Sequence, residues 1–192
     1  MPMRMFVEAV LEQSTLDEVW SVGRRMAADP EFPDTSVRWV KRESLHLTLR
    51  FLGETEPERL PDVTGALAEL AGWGRFEVTL AAPGTFGGRR PRVVMVGFAQ
   101  DDGFHRLQRL RSHLDGALAE IGVETEPGTF RPHLTLGRVR RQATREELAA
   151  IRAAVAAAPP LHGTTSIERV ALVESTLLSE GPRYHRVAFA EL

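Results

Sequence analysis

The tetrapeptide His-Leu-Thr-Leu occurs twice in this chain of 192 residues, once at His46–Leu49 and again at His133–Leu136. A predicted order of strand, helix, strand, helix and strand surrounds each copy, so the chain reads as two similar halves. Copies that lie 87 residues apart are too widely spaced for a solenoid repeat. We therefore predict one bilobal domain, with internal repeats at 3–90 and 91–178 and a C-terminal strand at 184–190.

Alternating and helical hydrophobic patterns predict the elements of both halves. Strands are expected at Met3–Val10, Val37–Val40, Leu45–Leu52, Phe76–Leu80, Arg92–Ala99, His133–Val139, Ile167–Leu172 and Tyr184–Ala190. Helices are expected to begin at three capping-box patterns, Ser14–Glu18, Thr55–Glu58 and Thr144–Glu147, and at the N-cap Asp101. A loop rich in Gly, Pro and Arg is expected at Ala82–Arg92.

The repeated tetrapeptide has a polar side and an apolar side when it forms a strand. Side chains alternate between the two faces, so His46 and Thr48 share one face and the leucines take the other. The same alternation places His133 and Thr135 together. If an approximate two-fold axis relates the halves, the two polar faces oppose each other across a cleft.

Two converging imidazoles suit the hydrolysis of a phosphodiester without a metal. The pKa of histidine is about 6.5, so one ring can be neutral and the other protonated at neutral pH. The neutral ring would take a proton from the attacking water, and the protonated ring would give one to the leaving oxygen. Threonine hydroxyls can bind the non-bridging oxygens. Arg131 could bind the phosphate from the same face if the strand of His133 already includes it.

Composition excludes several classes of protein. The chain has no cysteine, which excludes a disulfide scaffold, a thiol nucleophile, a zinc–thiolate site and an iron–sulfur cluster. Its formal charge of −2 gives no global basic field for binding long nucleic acid. The N-terminus lacks the pattern of a signal peptide, and no apolar stretch is long enough for a membrane helix. We expect a cytoplasmic protein with no membrane partner.

The paired motifs, in their contexts VRWVKRESLHLTLRFLG and FRPHLTLGRV, resemble the two-histidine phosphoesterase superfamily. Within it, the sequence is most similar to the bacterial RNA 2′,3′-cyclic phosphodiesterases, first described as 2′-5′ RNA ligases. The resemblance covers almost the whole chain, including the N-terminal MRMFVEAV, the GTFGGRRPRVVMVG segment and the C-terminal VESTLLSEGPRYHRVAFAEL. Either motif alone would be a weak indication.

The resemblance implies a bilobal α+β fold in which antiparallel sheets line a central cleft and helices lie outside. The implied reaction opens a terminal 2′,3′-cyclic phosphate on RNA to a 2′-phosphate, and its reverse would form a 2′-5′ linkage. His46 would be the proton donor to the leaving oxygen, and His133 the base that activates water. Thr48 and Thr135 would bind the phosphate. No metal or other cofactor is implied, and neither motif has a carboxylate or histidine beside it at a ligand spacing.

Three alternatives remain open at this point. The same mechanism could act on a small nucleotide or an ADP-ribose derivative. The chain could instead bind phosphorylated nucleotides without cleaving them, or its two histidines could serve a metal hydrolase. The expected partners are RNA ends or short cyclic-phosphate nucleotides, and a self-contained cleft leads us to expect a monomer.

Overall fold

The computed structural model describes residues 1–124, 129–179 and 181–192, and within them the chain forms an α+β fold. Its strands are β1 (Met3–Ala9), β2 (Val37–Trp39), β3 (Leu47–Thr55), β4 (Phe76–Phe86), β5 (Val93–Phe98), β6 (His133–Val139), β7 (Thr164–Ile167), β8 (Arg169–Leu178) and β9 (Gly181–Glu191). Its helices are α1 (Gln13–Ala27), α2 (Leu60–Ala68), α3 (Asp102–Glu120) and α4 (Arg145–Ala157).

Two antiparallel sheets organise the fold, which confirms the predicted fold class. The first sheet has the strand order β3-β1-β8-β9, and the second has the order β2-β6-β5-β4-β7. In each sheet the motif strand pairs with the first strand of its own half, β3 with β1 and β6 with β5. The sheets nevertheless exchange strands, because β2 and β4 join the second sheet and β8 and β9 join the first. The repeat boundaries at 3–90 and 91–178 stay a prediction about the sequence.

The helices attach to the sheets through apolar stripes. On α3, Leu107, Leu110, Leu114 and Leu118 are fully buried and join the main hydrophobic core. The spacing of three and four residues places them on one face of the helix. Among the residues that the structure describes, no helix is long and apolar enough to cross a membrane.

Only one of the three predicted capping boxes forms. Thr144 caps α4 by accepting a hydrogen bond from the backbone N–H of Glu147, whose carboxylate accepts one from Thr144 N–H. The predictions at Ser14 and Thr55 were wrong. The first helix begins at Gln13, so Ser14 is already helical. Thr55 remains the last residue of β3, and a 3-10 turn precedes α2.

The predicted loop at Ala82–Arg92 was also wrong over its first part, because β4 continues to Phe86. The pairing with β5 is irregular between Leu80 and Pro83 and then resumes with Pro83 opposite Val96. Proline has no N–H for the ladder, and an irregularity of this kind is where a strand tolerates it. The extension brings Phe86 to the second motif strand.

Candidate active site

The two motif histidines are held in the same way at the starts of their strands. His46 directly precedes β3, and its Nδ1 lies 2.8 Å from the carbonyl oxygen of Ser44. His133 is the first residue of β6, and its Nδ1 lies 2.8 Å from the carbonyl oxygen of Arg131. Since a carbonyl can only accept, each Nδ1 must carry the hydrogen. Each ring therefore keeps its Nε2 for a ligand.

Aromatic side chains fix the planes of both rings. The His46 ring lies between Phe6 and Tyr184, with centroid distances of 4.9 and 4.8 Å. The His133 ring meets Phe86 edge to face at 4.7 Å. Each imidazole is therefore oriented both by the hydrogen bond from its Nδ1 to a main-chain carbonyl and by an aromatic contact.

Burial holds the pKa of both motif histidines below the ordinary value. For His46, desolvation is the main cause, with smaller effects from the charges of His133, Arg138 and Arg186, while the bond to Ser44 opposes the shift. For His133, desolvation again dominates and Arg138 adds to it. The sequence suggested one protonated ring at neutral pH; in the free protein both rings instead favour the neutral form. An anion bound between them would raise both pKa values.

The alternation predicted for the motif strands is confirmed by burial. The four leucines of the two motifs are buried, and Thr48 and Thr135 are partly exposed. Thr48 lies opposite Glu8 of β1, and Thr135 lies opposite Met95 of β5. The two motifs thus present equivalent polar faces on different sheets. The roles of His46, His133, Thr48 and Thr135 in binding and catalysis stay predictions.

A register irregularity follows each motif and changes which side chain comes next on the histidine face. In β3, Thr48 pairs with Glu8 and Arg50 pairs with Val7, so the residue between Thr48 and Arg50 has no partner on β1. In β6, Thr135 pairs with Met95 and Gly137 pairs with Val94, so the residue between Thr135 and Gly137 has no partner on β5. An extra residue reverses the alternation beyond it. Consequently Phe51 and Arg138 lie on the same faces as the motif threonines.

Arg138 is a further charged residue near both motif histidines, and the sequence pattern did not predict it. Its charge lowers the pKa of His46 and His133, and it opposes the burial that raises the pKa of Tyr184. The arginine chosen from the sequence, Arg131, lies outside β6, and its main-chain carbonyl is what orients His133. A part for the Arg131 side chain in phosphate binding stays a prediction. Comparing the two repeats could have drawn attention to Arg138, since it stands at the place of the exposed Phe51.

A cavity of about 320 Å³ opens beside His46 on the first sheet. A buried carboxylate, Glu8, is only 3% exposed and lies in its wall. Arg186 Nε donates a hydrogen bond to Glu8 Oε1 at 2.5 Å. Burial raises the pKa of Glu8, and Arg186 opposes that shift. The lining residues are Glu8, Glu43, Leu45, His46, Val173, Tyr184, His185, Arg186 and Phe189.

Metal-ligating side chains do not cluster in the described part of the chain. No group of three or more His, Asp or Glu residues in it has a geometry that could hold a metal ion.

Comparison with known proteins places these features in a family. Residues 17–177 match the family model described as the 2′-5′ RNA ligase superfamily. The RNA 2′,3′-cyclic phosphodiesterase of Methanothermobacter thermautotrophicus is 30% identical over 186 residues, 96% of each chain. That of Thermus thermophilus is 35% identical over 151 residues, 76% of this chain and 70% of the relative. The fold matches the crystal structure of Escherichia coli LigT complexed with 3′-AMP, with a TM-score of 0.78, 24% identity and coverage of 100% and 99%.

Proposed function

The chain belongs to the 2′-5′ RNA ligase superfamily, and from that premise we propose that it is an RNA 2′,3′-cyclic phosphodiesterase. It would open a terminal 2′,3′-cyclic phosphate to a 2′-phosphate. The observation that carries the proposal is the matched pair of motif histidines, each with Nδ1 bonded to a carbonyl and Nε2 left for a ligand. The charge of His133 lowers the pKa of His46, so the two rings interact electrostatically.

The proposed reaction is an in-line displacement at phosphorus. His133 Nε2 takes a proton from a water molecule as the water oxygen forms a bond to phosphorus. The bond from phosphorus to O3′ breaks on the opposite side, and protonated His46 gives its Nε2 proton to O3′. The products are a free 3′-hydroxyl and a 2′-phosphate. The same steps with a 5′-hydroxyl end in place of water would form a 2′-5′ linkage, because the hydroxyl oxygen would then make the new bond to phosphorus as the bond to O3′ breaks.

Three further side chains would bind the phosphate. The hydroxyls of Thr48 and Thr135 can donate hydrogen bonds to the two non-bridging oxygens, one from each sheet. Arg138 lies on the same face as Thr135 and brings a fixed positive charge to the histidine pair. Negative charge on the phosphate grows as the water attacks, so a guanidinium that contacts the phosphate would stabilise the transition state.

Substrate binding would also supply the protonated imidazole that the free site lacks. Desolvation keeps both imidazoles neutral, which suits the base but not the acid. The cyclic phosphate carries one negative charge, and a nearby anion favours protonation of an imidazole. The substrate would therefore help to charge His46 before it acts.

The proposal is tested with an oligoribonucleotide that ends in a 2′,3′-cyclic phosphate, in buffer containing EDTA. We expect conversion to the 2′-phosphate, and we expect loss of turnover in His46→Ala and in His133→Ala while circular dichroism stays native. His105→Ala, on the exposed side of α3, is the matched control and should keep full activity. Absence of product from the wild-type protein would refute the function, and near-normal turnover in either motif variant would refute the assigned role.

RNA ends are the proposed partner, and one chain is the proposed active unit. Both motif histidines come from the same chain, which supports a monomer. Light scattering on the active protein checks this: a mass of one chain is expected, and a stable dimer would contradict it. The cytoplasmic location expected from the sequence stays a prediction.

A further inference from the structure

The cavity beside His46 is larger than a phosphate needs. Its volume is about 320 Å³, and it extends away from His46 toward Arg186 and Phe189 on β9. If the proposed function holds, His46 protonates O3′, an oxygen of the terminal ribose. The water and O3′ occupy opposite apical positions at phosphorus, so the ribose and its base lie on the His46 side. The terminal nucleoside is therefore the part of the substrate that this cavity can take.

The polar lining of this cavity includes an ion pair between Glu8 and Arg186. The Glu8 carboxylate lies opposite Thr48, where an unpaired negative charge would repel the phosphate. Arg186 neutralises it with one hydrogen bond from Nε. Within the described part of the chain, the two Nη groups of Arg186 have no hydrogen-bond partner, and its side chain is 40% exposed. The hydrogen bond to Glu8 thus fixes the plane of the guanidinium and leaves its two Nη groups as a pair of donors.

Aromatic faces stand on the same wall. Phe189 is 49% exposed, and Tyr184 packs against His46. Both line the cavity together with Arg186. Exposed aromatic rings stack on nucleobases with little regard to sequence, so stacking alone would not select a base. Selection would come from the donor edge of the guanidinium.

We infer that Arg186, held in place by Glu8, recognises the terminal nucleobase and selects guanine over adenine. Guanine presents the two acceptors O6 and N7 on one edge, which a guanidinium fork binds with two parallel hydrogen bonds. Adenine presents a donor, N6, beside its N7 at the same edge, so one guanidinium N–H would face another donor. The two purines are alike in size and stacking, which makes them a matched pair of substrates. Arg186 binds the base, and Glu8 is a positioning residue.

The test compares kcat/KM for guanosine and adenosine 2′,3′-cyclic phosphates. We expect the wild-type protein to favour guanosine by about tenfold or more, and Arg186→Lys to bring the ratio close to one, because an ammonium has no fork. Glu8→Gln should reduce the ratio as well, since the guanidinium loses its charged anchor. Arg75→Lys and Glu168→Gln alter an exposed pair outside the cavity and should leave the ratio unchanged.

A guanosine-to-adenosine ratio of kcat/KM near one in the wild-type protein would overturn the inference. An Arg186→Lys variant that keeps the wild-type ratio would also overturn it. This second result is what a merely structural role for Arg186 would give, because kcat/KM would then fall equally for both substrates. Calorimetry with guanosine and adenosine 2′-monophosphates measures the same preference without turnover. If no cyclic phosphate is hydrolysed, the proposed function fails, while the calorimetric ratio still decides the inference.

Discussion

Replacing Arg138 by Gln should reduce activity and shift its pH dependence in a direction that follows from the structure. Arg138 lies on the histidine face of β6 because an extra residue reverses the alternation after Thr135. We assign it to the charge that develops on the phosphate. Loss of one preorganised donor in such a site costs about 3–4 kcal/mol of transition-state stabilisation, or about 10²–10³ in rate.

The same variant should move the pH profile of kcat/KM upward. The charge of Arg138 lowers the pKa of both His46 and His133, so its removal raises both values in the free protein. We expect both limbs of the profile to shift to higher pH. A residue that only supports the fold would lower activity without this shift.

The assay measures initial rates on a cyclic-phosphate oligoribonucleotide across the pH range, with wild-type protein, Arg138→Gln and two comparison variants. Arg140→Gln changes an exposed arginine two residues further on and should keep the wild-type rate and profile. Arg131→Gln tests the residue chosen from the sequence. If Arg138→Gln retained the wild-type rate, or lost activity with an unmoved profile, the reasoning about the strand irregularity and the phosphate charge would be refuted.

Three further predictions concern pH, a buried ion cluster and helix capping. The acid must be protonated and the base neutral, and both motif histidines have a pKa below the ordinary value. A plot of kcat/KM against pH should therefore peak below about 6.5, and a peak above that pH would contradict the assignment of the two histidines as acid and base. Asp115→Ala removes the carboxylate that binds Arg50 and Arg111, whose side chains are both nearly buried. Urea unfolding should show that the variant loses about 3 kcal/mol of unfolding free energy, because two nearly buried charges lose a partner. A loss below about 1 kcal/mol would contradict this. Thr144→Ala should cost about 1 kcal/mol in the same assay, because the Thr144 side chain caps α4. Thr55→Ala should lose no capping energy, because Thr55 does not cap α2. Equal losses in the two variants would contradict this difference.

The motif strands were predictable because alternation is a local property. Leu47 and Leu134 had to face the core, and the histidine and threonine of each motif had to face away from it. The position of Arg138 was not predictable in this way, because an irregularity depends on the register with the partner strand and not on the strand's own sequence. The strand's start at His133, which leaves Arg131 outside it, likewise depends on the pairing with β5.

Polar contacts between residues far apart in the sequence could not be predicted either, for a related reason. Glu8 and Arg186 are 178 residues apart in sequence and meet only because β1 and β9 both pair with β8. Composition and periodicity carry no information about which charges the topology will bring together. The capping boxes show the limit of local patterns as well. The same spacing occurs at Thr55 and Thr144, but the chain enters α2 from a strand through a 3-10 turn, so Thr55 is not used.

The central claim is that His46 and His133 act on one phosphate, and side-chain nitrogen NMR of the two imidazoles tests it most directly. The protein is titrated with guanosine 2′-monophosphate, a product of the proposed reaction. We expect both rings to keep hydrogen on Nδ1, both Nε2 signals to shift with a single dissociation constant, and both pKa values to rise on binding. A response from only one ring, or two different dissociation constants, would contradict the claim.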